Sequence, residues 1–188
     1  EPLGADFHIG LPEALEDRVS LVIKPTTPPQ LMGETPPDYV VATMANPGID
    51  PEFPHDRGWR AAEIPAANGH GTAQALARLY SAFANGGTVD GIKIVGKDTI
   101  KRAIAEQCKG VDRVLGLESR WGAGFSLNNG GMYGPNEGTF GHSGFGGSMA
   151  FADPSEKLSV AYTMNQMHAN LRGDPRTMRL VEAIYSCL

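Results

Sequence analysis

Along this chain the apolar positions change period, and each change predicts an element. From Thr72 onward, Leu76, Leu79, Tyr80 and Phe83 fall at i, i+3, i+4 and i+7, the spacing of one face of an amphipathic helix. Thr72 stands where an N-cap belongs, and Gly86-Gly87 stands where a residue with positive φ would end the helix. Val89-Asp90-Gly91-Ile92 predicts a tight hairpin. A second helix is expected from about Asp98, with Ile100, Ala103 and Ile104 on one side. Further on the alternation becomes strand-like. Met149 and Phe151 alternate with Ser148, Ala150 and Ala152, and Leu158, Val160, Tyr162 and Met164 alternate with Ser159, Ala161, Thr163 and Asn165. The turn Asp153-Pro154-Ser155-Glu156-Lys157 between the two runs predicts an antiparallel hairpin. Asp174-Pro175 then opens a last helix, a cap followed by proline at the first helical position, with Met178, Val181, Tyr185 and Leu188 along one face.

The first 60 residues lack such periodicity. Pro25, Pro28, Pro29, Pro36, Pro37, Pro47, Pro51 and Pro54 interrupt them, and a segment so rich in proline cannot supply central strands. Arg18–Ile23 reads as a strand and Tyr39–Ala42 as a weaker one. Phe7, Ile9, Leu11 and Trp59 give the segment too many apolar anchors for disorder, so an extended meander lying over a core is expected. The order of elements, ending in strand, strand and helix, fits an α+β fold. We divide the chain into a proline-rich meander at 1–71, a helical part at 72–138 and terminal strands and helix at 139–188, all within one domain.

Composition narrows the functional classes. At 188 residues with 41% hydrophobic and 20% charged positions, the chain has the balance of a globular protein with a substantial core. The formal net charge of −5, with no run of Lys and Arg, argues against nucleic acid, whose phosphates call for a concentrated basic face. No apolar run approaches the roughly 18 residues of a membrane span. The chain opens on Glu1 rather than Met, so the lack of a signal peptide at its start says nothing about compartment, and cytoplasmic and periplasmic locations both stay open. Cys108 and Cys187 have no CxxC spacing, and we expect buried or partly buried free thiols. His8, His55-Asp56 and His168 have neither HExxH spacing nor companion cysteines, so neither a metal nor another cofactor is expected. Gly144 to Gly147 lacks the GK[ST] of a phosphate loop.

The most informative stretch is Gly141-His142-Ser143-Gly144-Phe145-Gly146-Gly147-Ser148, running straight into the predicted hairpin. It resembles the third active-site motif of the serine β-lactamase, penicillin-binding protein and class C-like esterase superfamily. Glu1-Pro2-Leu3-Gly4, Asn68-Gly69-His70-Gly71-Thr72-Ala73 and Arg120-Trp121-Gly122-Ala123-Gly124-Phe125 extend the likeness, the second of these resembling family VIII carboxylesterases. Such enzymes attack with the serine of Ser-x-x-Lys, assisted by the tyrosine of Tyr-x-Asn, and neither pattern occurs in the 188 residues. The resemblance therefore implies the C-terminal portion of a β-lactamase/transpeptidase-like fold, an antiparallel sheet flanked by helices. The N-terminal strands and nucleophile helix would be supplied in cis or by a second chain. It further implies that the final strand, Leu158–Asn165, pairs with the first strand of the whole domain, leaving an unpaired edge when that strand is absent.

The resemblance also implies roles. His142-Ser143-Gly144 would line the site opposite the nucleophile. The Ser143 hydroxyl would bond a substrate carboxylate or relay a proton, Gly144 would let substrate approach without a Cβ in the way, and the Phe145 N–H would be one of two oxyanion-hole donors. The family often carries lysine at the first triplet position. An imidazole, with an ordinary pKa of about 6.5, offers less positive charge at neutral pH, so a neutral ester or amide is the expected substrate rather than a carboxylate-bearing penicillin. Trp121 and Tyr133 are expected as core or cleft wall with a part in binding substrate. His70 either borders the cleft or is a loop histidine beside the helix cap. A portion of a serine hydrolase is the leading reading, with the 188 residues inactive on their own. A non-catalytic β-lactamase-fold module for binding or assembly is the alternative.

Overall fold

The computed structural model describes residues 2–28, 36–46, 48 and 50–188; Glu1, Pro29 and Pro47 of the sequence reading lie outside them. Strand β1 (Phe7–Ile9) is followed by a 3-10 segment (Glu13–Arg18), helix α1 (Asp38–Ala45), a 3-10 turn (Phe53–His55) and helix α2 (Arg57–Ala61). Strand β2 (Gly69–Gly71) leads into helix α3 (Ala73–Ala84), the small hairpin β3 (Thr88–Val89) and β4 (Ile92–Lys93), and helix α4 (Lys97–Ala103). Strands β5 (Cys108–Val111), β6 (Glu118–Trp121), β7 (Ser126–Leu127), β8 (Phe140–Ser143), β9 (Met149–Asp153) and β10 (Leu158–Tyr162) follow, and helix α5 (Pro175–Tyr185) closes the chain.

β5 to β10 form one antiparallel sheet in which sequence neighbours are also spatial neighbours, in the order β10-β9-β8-β7-β6-β5. Strand alternation sends side chains to opposite faces. Leu127, Phe140 and Ala152, facing one another across three strands, join Ala84 of α3 and Ile100 of α4 in one apolar layer. Phe83, Phe125 and Phe140 meet edge-on there, with ring centroids 5.1 to 6.3 Å apart, an arrangement contributing about 0.5–1.5 kcal/mol per pair beyond area burial. On the other face Met149 and Phe151 pack with Tyr133 and with Val181 and Tyr185 of α5. The sheet is thus covered by α3 and α4 on one side and by α5 on the other, the α+β arrangement expected.

Local chemistry sets the helix boundaries. The Ala75 N–H donates to Thr72 Oγ1 at 3.1 Å, and the Arg176 N–H donates to Asp174 Oδ1 at 2.7 Å, so both predicted caps take up helix N–H groups that have no partner within the helix. Asp90 (φ 49°) and Gly91 (φ 77°) are both left-handed, the backbone of a tight two-residue hairpin loop.

Several expectations are corrected. Arg18–Ile23 is not a strand: Arg18 ends the 3-10 segment, and Ile23 makes a single parallel bridge to Gln166. Leu21 is 65% exposed, so this run has no apolar layer to pack on, and Pro25 cuts it short. Tyr39–Ala42 lies inside α1, because Pro36-Pro37-Asp38 sets up a helix start and places an acidic residue in the first turn. The last strand ends at Tyr162 rather than Asn165; beyond it the Ile23 N–H donates to the Asn165 carbonyl at 2.6 Å. Cys108 and Cys187 are free thiols, but exposed.

The described residues ahead of Thr72 are held together by polar ties. β1 pairs antiparallel with β2, setting His8 opposite His70. Arg60 and Arg57 both reach Glu16, and the buried Asn68 side chain donates to the carbonyls of Trp59 and Ala62 while accepting from the Ile64 N–H. No helix among the described residues is long and apolar enough to cross a membrane.

Candidate active site

The His-Ser-Gly triplet lies at the end of β8, where the strand enters a glycine turn before β9. Register fixes the direction of each side chain. His142 pairs with Ala150 and shares the face of Phe140, whereas Ser143 pairs with Met149 and shares the face of Gly141 and Phe151. His142 is exposed, and its ring rests on Trp121 with centroids 5.4 Å apart. Nδ1 of His142 lies 2.8 Å from the Ser143 carbonyl. A carbonyl only accepts, so Nδ1 carries the proton, and in the neutral ring Nε2 is left as an acceptor. The structure thus brings His142, Ser143, Gly144, Phe145 and Trp121 together.

The turn closes through the Gly144 N–H, which donates to the Ser148 carbonyl at 2.8 Å. A Cβ at Gly144 would meet Ser148 Oγ at 2.5 Å and nothing else closer than 3.9 Å, so a side chain here would have to turn the Ser148 hydroxyl aside. Among the described residues nothing accepts the Phe145 N–H. A backbone donor left without an acceptor inside the protein can bond an external oxygen.

Beneath this wall lies a polar layer that sequence reasoning missed. Arg172 reaches from the segment between β10 and α5, donating to Ser119 Oγ and Ser126 Oγ at 2.7 Å each. Its guanidinium lies 5.3 Å from the Trp121 ring centre, so Trp121 touches both Arg172 and His142. Tyr133 is fully buried, its ring stacked on Phe151 at 5.7 Å. Its hydroxyl makes no hydrogen bond among the described residues, although Ser126, Arg172 and Ser143 face it. Burial pushes the phenol's pKa up, against the pull of those three neighbours. Tyr133 therefore sits under the wall rather than on its surface. No motif announces the layer, because serines on β6 and β7 meet an arginine about fifty positions away.

His70 is not part of this cluster. It lies on β2 with its ring 5.9 Å from Trp59, its Nδ1 is buried without a partner among the described residues, and burial lowers its pKa. Asp153, at the start of the β9–β10 turn, shows the opposite balance. Burial alone would raise its carboxyl, but the Tyr185 hydroxyl (2.5 Å), the Asn136 amide (2.8 Å) and the backbone N–H groups of Ser155 and Glu156 together hold it below the usual range. Among the described residues no group of three or more His, Cys, Asp or Glu could hold a metal ion. A shallow concavity of about 270 Å³, lined by Arg120, Asn128, Pro135 and Glu137 among others, opens at the opposite end of β8. It includes none of the triplet.

The Beta-lactamase family model matches residues 1–183. A family VIII carboxylesterase of known structure is 43% identical and superposes with a TM-score of 0.92, over 100% of this chain and 49% of that one. A penicillin-binding protein homologue from Caulobacter crescentus is 49% identical with a TM-score of 0.91, over 100% of this chain and 50% of that one. The esterase/beta-lactamase LipL of Mycobacterium tuberculosis (strain ATCC 25618 / H37Rv) is 37% identical over 107 residues, which are 56% of this chain and 24% of LipL. The chain thus spans about half the length of the two solved structures and matches about a quarter of LipL. With a family match over nearly its whole length and the same fold in both structures, the chain belongs to the β-lactamase family.

Proposed function

We propose that these residues are the C-terminal portion of a serine hydrolase that acts by acyl transfer on neutral esters or amides. They contribute the His142-Ser143-Gly144 wall and the Phe145 N–H as an oxyanion-hole donor. The observation that carries this reading is the Phe145 N–H, held in a closed glycine turn with no acceptor among the described residues. The relatives' names, carboxylesterase and esterase/beta-lactamase, support it.

The chemistry runs as follows. A serine hydroxyl from sequence outside these residues attacks the ester carbonyl, its proton passing to a neighbouring base. The carbonyl oxygen takes up the electron pair as an oxyanion, which the Phe145 N–H and a second donor stabilise. Collapse breaks the bond to the leaving oxygen, which departs as the alcohol with the proton the base had taken, and water then releases the acid from the acyl-enzyme by the same steps. Preorganised donors of this kind contribute about 2.7–4 kcal/mol each to the transition state. His142 offers an Nε2 lone pair where a lysine would offer a fixed cation, so the wall attracts a substrate carboxylate less.

The test uses the complete protein that carries this chain. Short p-nitrophenyl esters are expected to show higher kcat/KM than penicillins, and His142→Lys is expected to shift that ratio about tenfold or more toward carboxylate-bearing β-lactams, the gain of about one charge-assisted contact. Faster penicillin turnover with His142 in place would refute the electrostatic reading.

A further inference from the structure

The turn at 144–147 has almost nothing of its own to hold it in shape. Three of its four residues are glycines, and beside the Gly144–Ser148 bond it has one long internal bond, from the Gly147 N–H to the Gly144 carbonyl at 3.2 Å. Its support comes from the segment between β10 and α5 and from the first turn of α5. The His168 N–H donates to the Gly146 carbonyl at 2.9 Å, and Arg176 Nη2 donates to the same carbonyl at 3.0 Å. Arg176 Nη1 donates to the Gln166 carbonyl at 2.8 Å, so one guanidinium bridges the turn and the chain running past it.

Asp174 aims that guanidinium. Arg176 Nε donates to Oδ1 at 3.0 Å, and Nη2 donates to Oδ2 at 2.5 Å. The carboxylate is fully buried and also caps α5, accepting the Arg176 N–H at 2.7 Å. Burial alone would raise the Asp174 carboxyl, but the side-chain and backbone bonds from Arg176 outweigh it and hold the group ionised. Gly147 completes the fit. At φ 115° it lies in a region closed to most side chains, and a Cβ there would lie 2.3 Å from Asp174 Oδ2 and 2.9 Å from Arg176 Nη2. The turn and the ion pair are joined through the Gly146 carbonyl, so loss of the pair removes a tie on the turn.

Resting on the hydrolase reading above, we infer that Arg176, oriented by Asp174, is a positioning residue for the oxyanion donor. The Gly144–Ser148 bond fixes one end of the turn and Arg176 fixes the Gly146 carbonyl at the other, with the Phe145 N–H between them. Arginine suits the task because its planar fork meets a carboxylate and two carbonyls at once, which a lysine ammonium on a single flexible stem cannot do.

The test compares Arg176→Gln and Arg176→Lys with wild type in the complete protein. The readouts are kcat and KM on p-nitrophenyl butyrate, Tm, and amide hydrogen exchange across 144–148. Misaligning a donor removes stabilisation made only in the transition state, so kcat is expected to fall about 10- to 100-fold in both variants with KM within about twofold. Exchange across 144–148 is expected to quicken. Lysine, which keeps a charge on Asp174, is expected to restore Tm but not kcat. A fall in Tm with kcat and turn exchange unchanged would overturn the positioning role and leave Arg176 merely structural. If wild type itself turns over no ester, the hydrolase reading fails, and turn exchange still decides the clamp: quickened exchange supports it, unchanged exchange overturns it.

Discussion

Tyr133 poses the sharpest single-residue question in this chain. A fully buried phenol without a hydrogen bond among the described residues bears a desolvation cost that its neighbours Ser126, Arg172 and Ser143 offset only in part. Removing only that oxygen should therefore cost nothing: Tyr133→Phe is expected to leave stability unchanged or raise it by up to about 1 kcal/mol in a denaturant melt. A loss beyond about 1.5 kcal/mol would mean that the hydroxyl is bonded to Ser126 or Ser143 in solution. The wall above Tyr133 was readable from one line of sequence, since His142, Ser143, Gly144 and Phe145 are contiguous and strand alternation alone divides His142 from Ser143. What lies under the wall was not. Arg172 reaches Ser119 and Ser126 across 53 and 46 positions, and such a pairing leaves no trace in spacing. Asp174 was legible as a cap, because Asp-Pro announces a helix start, but its grip on Arg176 needed coordinates.

Helices with an apolar period and hairpins with a turn between alternating runs were legible, and the proline-broken segments depended on context. α3 carries its own start and stop: Thr72 caps it, and Gly86 and Gly87 with positive φ end it. Because the Thr72 hydroxyl is the acceptor for the Ala75 N–H, Thr72→Ala is expected to destabilise the fold by about 1 kcal/mol, and Thr72→Asn to leave it nearly unchanged. Equal melts for Thr72→Ala and wild type would show the cap to be idle. α1 was misread for a physical reason. Tyr39, Val40 and Val41 favour strands by propensity, yet of these only Val40 is buried, so no sheet partner opposes the helix that Pro37 and Asp38 start. Proline-broken segments offer too few apolar positions for a period to show, and tertiary contacts then decide.

For the molecule as a whole, the β10 edge of the sheet matters most. β10 pairs with β9 alone among the described residues, and its Leu158, Val160 and Tyr162 are all half-buried. An edge of that kind templates further pairing. We propose that a strand from outside these 188 residues, in cis or on a second chain, covers it in the working protein. Light scattering on the isolated chain is expected to show edge-driven association at micromolar concentration. A cooperatively melting monomer would contradict that expectation.

Whether this chain forms one wall of a serine hydrolase, with its nucleophile elsewhere, is decided most directly by labelling. The complete protein would be treated with a fluorophosphonate, which stays bonded to an activated serine, and the modified peptide identified by mass spectrometry. The label is expected on a serine outside residues 1–188, with ester turnover lost in proportion, and the isolated chain is expected to remain unlabelled and inactive. A label on Ser143 or any other serine of this chain, or saturable ester turnover by the chain alone, would contradict it.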